Sequence, residues 1–80
     1  MTAETRNALL DALAHLEQGD WQAAHLIVQH LDSLEGCWIH GIVHLMEGDL
    51  DNARYWYRRA NRPFSGDVAA EVAAVRLALQ

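Results

Sequence analysis

The sequence predicts an all-α fold of two antiparallel helical hairpins followed by a capping helix, five helices in all. Three observations carry this expectation. Between the breaks in the chain, every segment spaces its apolar residues by three and four, the signature of a helix with one buried face. Gly-Asp pairs at Gly19-Asp20 and Gly48-Asp49 punctuate the chain, and Pro63 to Gly66 makes the last break. Aligning the two Gly-Asp pairs then brings the chain onto itself with a period of 29 residues.

The first helix is expected over residues 2–18, with Leu9, Ala12, Leu13 and Leu16 on one face. Thr2 is placed to cap it, and Gly19 to stop it in a left-handed turn. Asp20 caps a second helix whose stripe is Trp21, Ala24, Val28 and Leu31. A short connection through Asp32 and Ser33 makes the third helix, residues 34–47, an antiparallel neighbour; Trp38, Ile42, Leu45 and Met46 are among its apolar positions. The fourth helix, residues 49–61, has an acidic first turn (Asp49, Asp51) and a basic end (Arg58, Arg59), as the helix dipole favours. Asp67 caps the fifth, in which Val68, Val72, Val75 and Leu79 form a narrow seam. The hairpins thus span 2–32 and 34–62, and the capping helix 67–79.

A chain of 80 residues is one domain, near the lower end of those that bury a sufficient core. Such a core supplies about 3–5 kcal/mol, so a further source of stability is expected: close helix packing, a bound metal or a partner subunit. The net charge of −5 argues against a general nucleic-acid or acidic-membrane binder. Cys37 is the only cysteine, which precludes an internal disulfide. Glu4, Arg6 and Asn7 interrupt the run a signal peptide needs, and no apolar stretch has membrane-spanning length. A cytoplasmic protein is the expectation.

The repeat has a physical reason. Leu16 to Ala24 overlays Leu45 to Ala53, placing Ala24 and Ala53 five residues after each glycine. Helices joined by so tight a turn pack closely and need a small residue where they cross. These residues resemble tetratricopeptide (TPR) units. In the second unit Gly41 matches the small first-helix position, Ala53 and Ala60 the small second-helix positions, and Tyr57 the aromatic between them. The first unit keeps Ala12, Gly19 and Ala24. The TPR period is about 34 residues, longer than the one here. The resemblance implies stacked hairpins, each burying its apolar face against the next.

Residues 21–63 also resemble a family of uncharacterised proteins. The pattern is Trp38, His40, His44, then Glu47-Gly48-Asp49, Asn52-Ala53 and Tyr55-Trp56 with the paired Arg58-Arg59; Trp21 and Ala24-His25 resemble its upstream segment. The chain departs from that family at Leu45, where Arg is common, and at Cys37, where Tyr is common. The resemblance implies a fold and points to residues, without implying an activity.

His40 and His44 stand four apart, so both project from one helix face. Glu47 follows one turn later, and His25 falls on the side of its helix that meets the third in TPR-type stacking. Three imidazoles and a carboxylate suit Zn or another borderline divalent metal. A protease-type zinc site is disfavoured, because Gly41 follows His40 where that site needs a Glu base. The alternative is a set of core-facing histidines hydrogen-bonded to backbone, Glu47 or Tyr57. Arg54, Arg58 and Arg62 form a second candidate, a basic stripe with Trp56 among it, suited to an anionic ligand or RNA, or simply a solvated face. Cys37, at the start of the third helix, reads as a small buried residue rather than a nucleophile.

The function expected from sequence is a non-catalytic helical module for protein–protein interaction, docking on a protein partner or on itself as a homodimer, without a required cofactor. The alternative is a small metal-binding protein using His25, His40, His44 and Glu47. Anion or RNA binding at Arg54, Arg58 and Arg62 is a weaker third reading.

Overall fold

A computed structural model describes residues 1–80. It is all-α, with helices α1 (Ala3–Glu17), α2 (Trp21–Val28), α3 (Leu34–Glu47), α4 (Leu50–Arg59) and α5 (Val68–Ala78). No helix is long and apolar enough to cross a membrane.

Caps set the boundaries. The side chains of Thr2, Asp20, Asp49 and Asp67 each accept a hydrogen bond from the backbone N–H three residues on, as does Ser33 at the start of α3. Gly19 and Gly48 take the left-handed backbone at φ 78° and 91°. Asn61 ends the fourth segment with φ 62°, a conformation asparagine tolerates better than most side chains. Helix α2 stops a turn earlier than its apolar stripe suggests. His30 and Leu31 donate to Ile27 and Val28 carbonyls, a tightening that closes the helix end.

Helix α3 is the axis of the fold. Every residue from Gly36 to Leu45 is buried, because α1, α2, α4 and α5 all lie against it or complete its cover. The closest approach is to α4. A Cβ added at Gly41 would fall 2.5 Å from the Tyr57 ring, so only glycine allows this crossing. Gly36 serves the end of α2 similarly, since a Cβ there would meet the Leu31 carbonyl oxygen at 2.8 Å.

Helix α5 packs on α3 and on α1. Val75 and Leu79 are fully buried, while Val68 and Val72 pack against the edge of the core. Glu71 fastens the helix from within: its Oε1 accepts from Trp38 Nε1 at 3.1 Å and from Tyr57 Oη at 2.7 Å. Arg76 pairs with Glu17 through a 2.7 Å bond from Nε, and Arg6 donates to the Leu79 carbonyl. The last helix therefore returns to the first.

Candidate metal centre

Three helices build one cluster. Helix α3 presents His40 and His44 a turn apart, both buried, at 5% and 8% exposure. Helix α2 brings half-buried His25 to them, and α4 adds half-buried Trp56. The close crossings at Gly36 and Gly41 make these approaches possible.

The ring of His25 meets His40 edge-on at 4.8 Å between centroids and His44 at 5.4 Å. His40 and His44 are 5.0 Å apart and inclined by 24°. One ligand nitrogen from each of the three lies within 4.8 Å of the other two. In a tetrahedral zinc site with bonds of about 2.0–2.1 Å, such nitrogens stand about 3.4 Å apart. The cluster is thus within about 1.4 Å of coordinating distance.

His40 is the unusual member. Its Nδ1 is buried and has no hydrogen-bond partner. Burial first, and then positive charge on His25, His44 and Arg59, holds its pKa down at about 4, against 6.5 ordinarily. Its neutral imidazole is the form that binds metals.

His44 has a different environment. Its Nδ1 lies 2.8 Å from Glu47 Oε1. A carboxylate accepts, so Nδ1 carries the proton and Nε2 keeps its lone pair. Glu47, a candidate ligand by sequence, here orients His44. Asp49 also approaches His44 and Glu47, but its two oxygens accept from the backbone and side-chain nitrogens of Asn52 at 3.2 and 3.4 Å as the cap of α4.

The core-histidine alternative is met in two respects, the burial of His40 and His44 and the His44–Glu47 bond. Tyr57 is committed to Glu71 rather than to a histidine. His15 on α1 and His30 after α2 lie outside the group.

The arginine stripe is divided among aromatic faces. Arg62 lies 3.4 Å above the Trp38 ring, Arg54 4.4 Å from that of Phe64, and Arg59 4.9 Å from that of Trp56. Arg58 is exposed and takes part in no such stack. Cys37 is buried, and burial raises its thiol pKa, which disfavours the thiolate.

Comparison of the chain with protein-family models, curated proteins and solved structures finds no match. The functional reading accordingly stands on the side chains themselves.

Two residues escaped the sequence reading in these roles. Trp56 stood out as a surface aromatic, yet its indole covers one face of His40 at 3.7 Å. Glu71 carried no expectation. Its signal was its place beside Val68, Val72 and Val75, a carboxylate on an apolar seam in a core that must satisfy an indole N–H and a phenol.

Proposed function

We propose that this protein is a small helical metal-binding domain in which His25, His40 and His44 hold one borderline divalent ion such as Zn2+, with Glu47 orienting His44. The observation that carries the reading is the Nδ1 of His40, buried without a partner inside a converged set of three imidazoles. An unsatisfied buried nitrogen costs about 1–3 kcal/mol. Coordination through Nδ1 gives it a partner and answers the small core's need for added stability. Imidazole suits Zn, Cu, Ni and Fe rather than Ca or Mg, and the His44–Glu47 bond supports a ligand already held in orientation.

Elemental analysis of protein purified without a histidine tag tests this. About one ion per chain, lost in His40→Ala and His44→Ala, is the expected result. Metal-free protein whose melting ignores both added zinc and chelator would overturn it.

A second reading is compatible with the first. Leu26, Leu34 and Leu77 are exposed by 64%, 56% and 70%, which supports a module that docks a protein partner or a second copy. A melting temperature that rises with protein concentration would support self-association.

A further inference from the structure

We infer that the ion in this site keeps an open fourth coordination position that takes a small monodentate anion. The inference rests on the metal-binding reading above and concerns what the bound ion does. Three nitrogens converge, from His25, His40 and His44, and no further histidine, cysteine or carboxylate joins all three within the same 4.8 Å; Glu47 and Asp49 approach His44 alone. The two carboxylates nearby are engaged: Glu47 holds His44 at 2.8 Å, and Asp49 caps α4 through Asn52. Zinc is four-coordinate in most protein sites, and three protein ligands leave a place for an exogenous one.

Charge and access choose the occupant. Three neutral imidazoles leave the ion its full double charge, whereas thiolate or carboxylate ligands would cancel part of it. A fourth ligand that brings negative charge is therefore favoured over a neutral one. Access is lopsided. The Trp56 indole lies against one face of His40, 9° from parallel, while His25 is only half-buried and is the most exposed of the three histidines.

The test uses the full chain loaded with Co2+ in place of zinc, at one fixed pH, titrated with sodium azide. Visible Co2+ bands reporting nitrogen coordination are expected, shifting with azide to saturation at one azide per ion. Asp49→Asn should show the same shift. Wild-type bands that ignore azide would overturn the open position, and a shift appearing only in Glu47→Gln or Asp49→Asn would show that a carboxylate fills it. Absence of Co2+ bands in the wild type would instead sink the metal site itself, so the two failures are distinguishable.

Discussion

The imidazole of His40 lies flat against the indole of Trp56, with ring centroids 3.7 Å apart and planes 9° from parallel. This contact joins α3 to α4 at the cluster and places a fluorophore against a candidate ligand. It also covers one face of His40.

Zinc binding should therefore change tryptophan emission and raise the melting temperature together. At free zinc a hundredfold above Kd, the added stability is about 2.7 kcal/mol. Chelator should reverse both effects, and His40→Ala should abolish both. Fluorescence and calorimetric titrations of the same samples check this.

Acid should destabilise the metal-free protein. His40 has its pKa held at about 4 in the fold and about 6.5 when unfolded. Between these values the unfolded chain binds the extra proton, so stability is full above about pH 6.5 and falls as pH drops toward 4. The loss from this residue is about 2–3 kcal/mol. Urea unfolding across that range, with His40→Gln as a variant whose profile is flatter, measures it.

Glu47→Gln should weaken zinc affinity about 10–100-fold, the usual effect of removing the group that orients a histidine ligand. Melting of the metal-free variant should remain near wild type, because Glu47 is largely exposed. Competition against a chromophoric chelator gives the affinity.

Gly41→Ala should destabilise the domain by about 1–3 kcal/mol. The new methyl would stand 2.5 Å from the Tyr57 ring, and fully buried Tyr57 has little room to retreat. Chemical denaturation detects the change, and a wild-type midpoint would show that the two helices can part there at no cost.

Glu71→Ala should cost about 2–3 kcal/mol, since it strips the acceptor from both Trp38 and Tyr57. Glu71→Gln retains an acceptor oxygen and should lose less. Thermal unfolding of the two variants orders them.

Much of the fold was legible because it rests on local rules. Thr2, Asp20 and Asp67 announced helix starts by residue type, and Gly19 and Gly48 announced stops; Asp49, expected in the first turn of the fourth helix, caps it instead. The approach of Gly41 to Tyr57 was foreshadowed by the small and aromatic residues around them. The end of α2 was not legible, because Leu31 continues the apolar stripe while its backbone has already turned. The cluster was legible in its histidines: spacing places His40 and His44 on one face, and the expected packing side of α2 points to His25. Orientation was not. Whether Glu47 ligates or bonds His44, and whether Trp56 faces solvent or His40, depends on rotamers and on contacts between helices. The arginine spacing likewise gave no sign that Arg54 would lie by Phe64 and Arg62 by Trp38, aromatic residues outside α4.

The return of α5 to α1 has a consequence for how the chain folds. The Arg6–Leu79 hydrogen bond spans 73 residues, whereas α1 and α2, and α3 and α4, touch across short connections. These local contacts thus form at small entropic expense, and the closure of last helix on first comes at the end, when most of the chain is already ordered. An open stack of repeats can fray from either end, unit by unit. Here the first and last helices hold each other, so neither end of the chain is free to unravel alone, and the domain is built to unfold as one cooperative body.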